Sequence, residues 1–227
     1  VVDNDANTGA LGEICYGAAR GARNIVYLTV STGIGGGIVI DGEIYHGSHS
    51  FAGECGHMTL VPDGPLCSCG KRGCLEALCS GTAIARQAAL AVGTGTNSRS
   101  VNVLLEMAGG KPENITAKLV FEAARAGDEL ALSLVDKVCD YLGLAVANLI
   151  NLFDPEMVVI GGGVAKAGRL LFDPLNHEIE KHVMAFHANR VKCVPAALGD
   201  DSVLLGAVAL ANKYCLNNRR HEQRSER

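Results

Sequence analysis

Positive charge and long apolar runs are both scarce in this sequence. The net charge is −4 and the pI is about 6.0, which argues against a general nucleic-acid or membrane-surface binder. The longest apolar stretch, Tyr141 to Phe153, carries Asn148 and Asn151 and is too short to span a bilayer. Charged residues make up only 19% of the chain and hydrophobic residues 48%, which excludes a disordered protein and indicates a globular one.

Tryptophan is absent, whereas cysteine is abundant, with nine residues. An odd number of cysteines, three of them packed between Cys67 and Cys74, is not the pattern of a disulfide framework. We interpret the cysteines as free thiols and metal ligands in a reducing compartment, and we therefore expect a cytoplasmic protein.

The strongest chemical signal is a set of metal-ligating residues in a glycine-rich loop. One imidazole and three thiols follow one another closely in His57, Cys67, Cys69 and Cys74. This donor set suits tetrahedral Zn²⁺, and four protein ligands leave no open position, so the metal would be structural. Gly70 and Gly73 would let the loop curl between the ligands. The alternative is a set of reduced core cysteines beside an unrelated histidine.

The distribution of apolar residues predicts an α/β fold. Residues 25–46 are expected to form three strands, with Asp41-Gly42 as a hairpin turn. Beyond them, the patterns predict a polar linker at 93–100, strands at 157–160 and 191–194, and helices at 75–79, 82–92, 116–126, 127–151, 167–184 and 202–214. Strands that alternate with helices indicate a mixed sheet covered by helices, with glycine turns at the carboxyl ends of strands.

Five motifs run through the chain in a fixed order. They are Val2-Asp3-Asn4-Asp5-Ala6-Asn7, Ser31-Thr32-Gly33-Ile34-Gly35-Gly36-Gly37, Glu54-Cys55-Gly56-His57, Cys67-Ser68-Cys69-Gly70-Lys71-Arg72-Gly73-Cys74-Leu75-Glu76 and Val158-Val159-Ile160-Gly161-Gly162-Gly163. In this order and spacing the chain resembles the ROK family of bacterial sugar kinases and repressors over residues 1 to about 214. The resemblance implies the actin-like ATPase or hexokinase fold, which is ribonuclease H-like, and here mostly its large C-terminal domain with a structural zinc loop.

The resemblance also implies a division of the chain. Residues 1–20 would be a remnant of the small N-terminal domain and hinge, residues 21–214 the large domain with the zinc loop at 54–76, and residues 215–227 a polar tail. The chain starts without methionine, and no Asp-x-Gly-x-Thr phosphate loop precedes Asp5. We therefore expect that an N-terminal part is missing. The isolated chain should have little or no kinase activity, because phosphoryl transfer depends on positioning and phosphate neutralisation.

The same resemblance assigns roles to individual residues. It implies that Asp5 accepts the proton of a sugar hydroxyl. Sugar binding is implied for Asn4, Glu54, His57 and Glu76, with the second ring nitrogen of His57 left for zinc. Nucleotide binding is implied for Thr32, Gly33, Gly35 and Gly36 and, at the adenosine pocket, for Gly161, Gly162 and Gly163.

From the residues alone, simpler interpretations stay open. An aspartate in the position of Asp5 is commonly a solvated turn residue or a helix cap. The glycine run 35–37 fits an ordinary hairpin, and Gly161-Gly162-Gly163 fits a tight turn between a strand and a helix. Glu76 fits the first turn of a helix, where the dipole favours a carboxylate.

The resemblance favours a kinase that transfers phosphate from ATP, with Mg²⁺, to the 6-hydroxyl of a hexose, and among hexoses it favours glucose. The main alternative is a sugar-responsive repressor, which would need a preceding helix-turn-helix and would make nucleic acid a partner. Asp5, Thr32 and the intact glycine run favour the kinase. Kinases for N-acetylmannosamine, N-acetylglucosamine, fructose or allose are further alternatives. The expected partners are a small-molecule sugar and further copies of the chain, and no membrane.

Overall fold

The structure is a computed structural model of the chain, and it describes residues 2–93 and 100–225. Side chains are described for residues 2–93 and 103–213. Most of the predicted polar linker, residues 94–99, lies outside the described residues. Within the described ranges, no helix is both long and apolar enough to cross a membrane.

In the described part of the chain, five strands form one mixed sheet in the order β3-β2-β1-β4-β5. They are β1 (Ile25–Val30), β2 (Ile34–Ile40), β3 (Glu43–Ile44), β4 (Met157–Gly161) and β5 (Lys192–Pro195). β2 runs antiparallel to β1 and β3, whereas β4 pairs in parallel with β1 and β5. This arrangement confirms the predicted three-strand meander and the mixed sheet. Asp41 and Gly42 turn the hairpin with φ angles of 54° and 82°, as a two-residue type I′ turn requires.

Helices cover both faces of the sheet. Those in the described ranges are α1 (Asp5–Tyr16), α2 (Leu75–Cys79), α3 (Gly81–Gly93), α4 (Ser100–Met107), α5 (Ala117–Arg125), α6 (Glu129–Phe153), α7 (Arg169–His182) and α8 (Ser202–Ser225). The apolar patterns predict all of them except α1 and α4. Thr116 caps α5 as expected, since its hydroxyl accepts the backbone N–H of Leu119 at 3.2 Å.

The sheet separates two apolar layers, because successive residues of a strand point to opposite faces. On one face, Val26, Leu28 and Val30 pack into the larger core with residues of α2, α3, α5, α6 and α7. On the other face, Ile25 and Tyr27 pack into a smaller cluster that includes α1. The large core and α1 therefore lie on opposite faces of the sheet.

α1 is built largely from small residues. Asn4 caps the helix, and its side-chain oxygen accepts a backbone N–H of the first turn at 2.8 Å. A Cβ on Gly12 would lie 2.2 Å from the carbonyl oxygen of Ser202, and one on Gly206 would lie 1.7 Å from that of Thr8. Glycines thus let α1 and α8 approach closely. Glycine, alanine and threonine produce no strong apolar period, which is why the apolar pattern does not predict α1.

Glu13 is a fully buried carboxylate that joins α1 to the segment between β5 and α8. Its Oε1 accepts hydrogen bonds from the Leu198 N–H at 3.0 Å and the Ser202 hydroxyl at 2.8 Å. Its Oε2 accepts the N–H groups of Ala18 at 2.8 Å and Ala197 at 3.0 Å. These donors satisfy a group whose burial would otherwise be strongly unfavourable.

Replacing Glu13 with glutamine should lower the free energy of unfolding by about 2–4 kcal/mol. The amide keeps the shape but turns its NH₂ group toward donors, which leaves buried N–H groups without an acceptor. Glu156 provides the control: it accepts the N–H groups of Arg23 and Asn24 at 2.7 and 2.9 Å, but it is exposed. Glu156→Gln should therefore cost less than about 1 kcal/mol. Urea unfolding of both variants measures the difference, and equal losses would contradict the role of burial.

α8 continues to Ser225, beyond the predicted helix end at Tyr214. Residues 215–225 include several arginines, a glutamate and a glutamine, which have good intrinsic helix propensity. Polar sequence therefore extends the helix through most of the predicted tail at 215–227. Residues 226 and 227 lie outside the described residues.

Candidate active site and metal site

The four predicted zinc ligands lie together. The ligand atoms of His57, Cys67, Cys69 and Cys74 are all within 4.8 Å of one another. His57 Nδ1 is 3.7 Å from Cys67 Sγ, and Cys69 Sγ is 3.7 Å from Cys74 Sγ. Bonds of about 2.3 Å to sulfur and 2.0 Å to nitrogen would separate the corners of a zinc tetrahedron by about 3.5–3.8 Å. The residues present therefore fit tetrahedral Zn²⁺, although zinc binding itself stays a prediction.

Backbone hydrogen bonds shape the loop that carries these ligands. The N–H of Cys67 donates to the Lys71 carbonyl at 2.8 Å, and that of Gly70 donates to the Cys67 carbonyl at 3.0 Å. Gly70 and Gly73 have positive φ angles of 85° and 67°, which let the chain reverse direction within a few residues. The backbone thus brings the sulfur atoms together, and a metal ion would close the loop.

The thiols of Cys74 and Cys69 differ in their pKa. Cys74 is fully buried, and burial raises the pKa of its thiol to about 12. Cys69 is exposed, and a hydrogen bond from the Lys71 N–H lowers the pKa of its thiol. A divalent cation bound by the cluster would favour the thiolate at both positions, so metal binding would release protons.

Gly73→Ala should disrupt the loop more than Gly70→Ala. A Cβ on Gly73 would lie 1.5 Å from the carbonyl oxygen of Val61, whereas one on Gly70 meets no atom within 4 Å. Both substitutions place a side chain at positive φ, which costs about 1–3 kcal/mol in each case. We expect zinc affinity to fall roughly tenfold or more in Gly73→Ala and to change little in Gly70→Ala. A competition titration with a zinc chelator measures both affinities, and equal values would contradict this prediction.

The two ring nitrogens of His57 face different groups. Nδ1 lies toward Cys67, whereas Nε2 is 3.9 Å from Glu54 Oε2. Glu54 is exposed and directly precedes a short 3₁₀ helix at Cys55–His57. A metal on Nδ1 would fix the tautomer and leave the Nε2 hydrogen for a second partner. The division that the resemblance implies, with one nitrogen for zinc and one for a sugar, is compatible with this geometry and stays a prediction.

Glu76 connects the zinc loop to the start of β2. It lies in the first turn of α2, and its Oε2 accepts the Ile34 N–H at 3.0 Å while Oε1 accepts the Ser68 hydroxyl at 2.9 Å. Partial burial favours a higher pKa for Glu76, but the hydrogen bonds from Ile34 and Ser68 outweigh it and lower the pKa. Glu76 is therefore an anionic acceptor shared by two loops.

Asn4 and Asp5 are exposed at the start of α1. Asn4 is the helix cap and Asp5 the first helical residue. These positions fit the simple role of residues at a helix start, and they are also compatible with the predicted roles in sugar binding and proton transfer. The helix dipole stabilises a carboxylate at this end of α1. An exposed, anionic oxygen held at a helix start can accept a proton from a bound hydroxyl group.

The glycine run between β1 and β2 lies mostly inside a strand. Only residues 31–33 form the turn, whereas Gly35, Gly36 and Gly37 are paired with β1 inside β2. A Cβ on Gly37 would lie 2.7 Å from the carbonyl oxygen of Ala6, and one on Gly36 would lie 2.6 Å from that of Gly53. The turn is thus shorter than predicted. The strand glycines let α1 approach one face of β2 and the 53–57 loop approach the other, and nucleotide binding by Gly35 and Gly36 stays a prediction.

The turn itself is held by the start of α3. The Gly81 N–H donates to the Ser31 carbonyl at 2.6 Å, and the Thr82 hydroxyl donates to the Thr32 carbonyl at 2.8 Å. An added Cβ on Gly33 would lie 2.7 Å from Glu76 Oε2, so only glycine allows the carboxylate this close. The side chain of Thr32 is exposed. Sequence reasoning does not single out Thr82, because no motif marks it.

A cavity of about 630 Å³ opens beside this turn. Its lining includes Ser31, Thr32, Thr82, Phe121, Gly163 and three basic residues, Lys118, Arg125 and Lys166. The volume lies within the usual range for a small-molecule site. The chain turns away from β4 at Gly162, which has a φ of 87°. Only glycine fits there, because an added Cβ would lie 2.4 Å from the Val30 carbonyl oxygen. The predicted strand-end glycines therefore reach the cavity through Gly163, while Gly161 packs against Tyr27.

A model of the ROK family matches residues 1–214. The chain belongs to the ROK family. It is 46% identical over 207 residues to a glucokinase of Halalkalibacterium halodurans, a match that covers 91% of this chain and 61% of that protein. It is 34% identical to a xylose repressor of Caldicellulosiruptor bescii, a match that covers 92% of this chain and 51% of that repressor.

Among solved structures, the chain is similar to a ROK family glucokinase from Streptomyces griseus in complex with glucose and AMPPNP. The TM-score is 0.86 at 36% identity, and the match covers 94% of this chain and 68% of that one. The actin-like ATPase fold predicted from the motifs is thereby confirmed. This ROK chain spans 61% and 64% of the lengths of two glucokinases that it matches. The division at residues 20 and 214 stays a prediction.

The ROK motifs converge on the first residues of β2. Glu76 binds the N–H of Ile34, the first turn of α1 packs on Gly35, and the 53–57 loop packs on Gly36. The exposed turn at 31–33 leads from this point to the cavity beside α5. Motifs far apart in the sequence thus lie next to one another around the start of β2 in the ROK chain.

Proposed function

We propose that this ROK protein is an ATP-dependent sugar kinase that phosphorylates the 6-hydroxyl of a hexose, with glucose as the favoured acceptor. The observation that carries the proposal is the convergence at the start of β2. There the first turn of α1, which begins at Asp5, packs on Gly35, Glu76 accepts the Ile34 N–H, and the 53–57 loop packs on Gly36, beside the turn that borders the 630 Å³ cavity. A phosphoryl transferase needs this combination of a proton acceptor, a polar sugar site and a nucleotide cavity.

On the acceptor side, Asp5 is the proposed general base. As the sugar oxygen bonds to the γ-phosphorus and the bond to the leaving ADP oxygen breaks, the hydroxyl proton passes to Asp5. Asn4, Glu54, His57 and Glu76 are proposed to bind the other hydroxyl groups. Structural zinc would hold His57 in one tautomer and shape the loop, but it would take no part in the transfer.

On the donor side, ATP with Mg²⁺ is proposed to occupy the cavity. Thr32 and the backbone of the turn, including Gly33, would face the phosphates, since a glycine turn exposes N–H groups to anions. Gly163 lines the cavity where the adenosine is expected, and Gly161 and Gly162 shape the chain before it. Gly35 and Gly36 would contribute by allowing the close packing of α1 and the 53–57 loop. Lys118, Arg125 and Lys166 also line this cavity, although Lys118 pairs with Glu122, another lining residue, and Lys166 pairs with Asp200.

The repressor alternative is weaker on the present observations. Identity to the glucokinase of H. halodurans is 46%, against 34% for the xylose repressor. Asp5 is also exposed at the start of α1, where it is accessible to a bound sugar hydroxyl. We further propose a homo-oligomeric, cytoplasmic protein without a nucleic-acid partner, whose sugar phosphate would enter glycolysis.

The test is an ADP-release assay on the full-length gene product with Mg-ATP. Glucose should give saturable turnover, with lower kcat/KM for N-acetylmannosamine, N-acetylglucosamine, fructose and allose. The 227-residue chain alone should show little or no turnover. Absence of turnover with every sugar, together with sugar-dependent DNA binding, would replace the kinase with the repressor. Brisk turnover by the isolated chain would contradict the expectation that residues outside it are needed for phosphoryl transfer.

A further inference from the structure

Asp3 is a buried carboxylate directly before the exposed pair Asn4-Asp5. Its side chain is only 7% exposed, and its two oxygens are bonded to different parts of the chain. Oδ1 accepts the backbone N–H of Asn4 at 2.8 Å and the Asn7 side-chain N–H at 2.9 Å. Oδ2 is 2.8 Å from His46 Nε2. The start of α1 is thus tied to the segment that follows β3.

The partners of Asp3 leave it little freedom. Burial alone would raise its pKa, but hydrogen bonds from Asn7, His46 and Asn4 outweigh burial and lower it, so the anion is the stable form. Asn7 is 4% exposed, and no hydrogen-bond partner of its Oδ1 is found in the described part of the chain. The Asn7 amide is therefore committed to Asp3 through its nitrogen. These contacts hold the backbone at Asn4, and they thereby orient Asp5, the first residue of α1.

His46 begins a closed loop, residues 46–52, that leads into the sugar-site residues. The Ala52 N–H donates to the His46 carbonyl at 3.1 Å, which joins the two ends of the loop. Gly53 follows at once and packs on Gly36, and Glu54 comes next. The loop surface is open to solvent, with Phe51 75% exposed. The Asp3–His46 contact therefore holds this exposed loop against the start of α1.

We propose that Asp3 and His46 are positioning residues for phosphoryl transfer, holding loop 46–52 and the start of α1 in register. The proposal rests on the proposed kinase function. Through this contact, the loop that carries the chain to Glu54 and His57 keeps a set distance from Asp5. Small displacements of groups that position a substrate reduce rates strongly, so a single hydrogen bond at this place can affect sugar use.

The test uses His46→Ala, Asp3→Ala and the double variant in the full-length gene product. His46→Ala removes one charge-assisted hydrogen bond from a half-exposed side chain and should not impair folding. We expect kcat/KM for glucose to fall about tenfold, with most of the loss in kcat, because the sugar hydroxyl is then held less accurately against Asp5. His46→Gln should restore kcat/KM, because its amide N–H can reach Asp3. His49→Ala, which changes an exposed histidine of the same loop, is the matched control.

Two readouts separate positioning from a general loss of structure. Hydrogen exchange of residues 46–52 should accelerate equally in both single variants, and adding the second substitution should cause little further change. His46→Ala that matches His49→Ala in kcat/KM and in loop exchange would overturn the proposal, as would fully additive effects of the Asp3 and His46 substitutions. If the wild-type protein transfers no phosphate, the kinase function fails. In that case hydrogen exchange of residues 46–52 alone tests the positioning role. An exchange rate in His46→Ala equal to that of the wild type would overturn it.

Discussion

Asp5→Asn should abolish sugar phosphorylation in the full-length gene product while glucose still binds. General base catalysis contributes about 10²–10⁴-fold, so we expect kcat to fall by about three orders of magnitude. Asparagine has nearly the same shape and is tolerated at the start of a helix, so α1 should remain folded. The dissociation constant for glucose should stay within about threefold, because the base acts on the proton that moves only in the transition state. Single-turnover kinetics and calorimetric titration with glucose measure the two effects.

Asp41→Asn is the matched control for this experiment. Asp41 is an exposed aspartate in the β2–β3 turn with a φ of 54°, a conformation that asparagine accepts readily. Its turnover should equal that of the wild type. Retained turnover in Asp5→Asn would remove Asp5 from the base role. Loss of glucose binding together with turnover would make Asp5 a binding residue instead.

The histidine–cysteine cluster and the sheet could be predicted because their signals are local. His57, Cys67, Cys69 and Cys74 lie close in the sequence in a glycine-rich loop, a pattern typical of a metal site. The strands show continuous β-branched runs, and the long helix α6 has an apolar face with a clear helical period. These features depend on neighbours in the sequence, so inspection of the chain is sufficient to find them.

The start of the chain could not be predicted as a helix, because its packing depends on distant residues. The glycines of α1 have a purpose only when α8 lies across them, as Gly12 and Gly206 show. The same holds for Glu13, because three of its four donors, in Ala197, Leu198 and Ser202, lie nearly two hundred positions later. Asp3 and His46 are also distant in sequence, and their pairing appears only when the loop after β3 folds back on α1.

The glycine-rich motif at 31–37 has two structural parts that the resemblance does not distinguish. The resemblance implies phosphate binding for the whole run, whereas the structure divides it into an exposed turn and a strand with close packing on both faces. Gly33 borders the Glu76 carboxylate, whereas Gly36 borders Cys55 and the Gly53 carbonyl, so different glycines of the run have different neighbours. Sequence alone cannot separate these roles, since both need the same residue type.

The position of Glu76 makes the zinc loop part of the proposed sugar site. One carboxylate oxygen accepts a hydrogen bond from Ser68 inside the loop, and the other accepts the N–H of Ile34 at the start of β2. His57 lies at the other end of the cluster and faces Glu54 with its second nitrogen. A change at the four predicted zinc ligands should therefore displace the groups proposed to bind sugar. The sheet and α6 should be less affected, because they pack in a separate core.

Loss of the metal should consequently impair sugar binding more than global folding, and Cys74→Ser tests this. Cys74 is fully buried and directly precedes α2, which carries Glu76. We expect the zinc content to fall from about one ion per chain to nearly none, since three remaining ligands hold the ion poorly. The KM for glucose should rise at least about tenfold, as for the loss of groups that orient a metal site. Metal analysis, glucose kinetics and urea unfolding of the same preparation measure the three quantities.

Cys193→Ser separates the metal effect from the loss of a buried thiol. Cys193 lies in β5, 5% exposed and outside the cluster, and burial raises the pKa of its thiol to about 12. Its variant should keep a full complement of zinc and an unchanged KM, even if some stability is lost. Wild-type protein that is metal-free, fully folded and unchanged in glucose binding would contradict the zinc site. Equal zinc contents in the two variants would do the same, because a non-ligand cysteine then matters as much as a ligand.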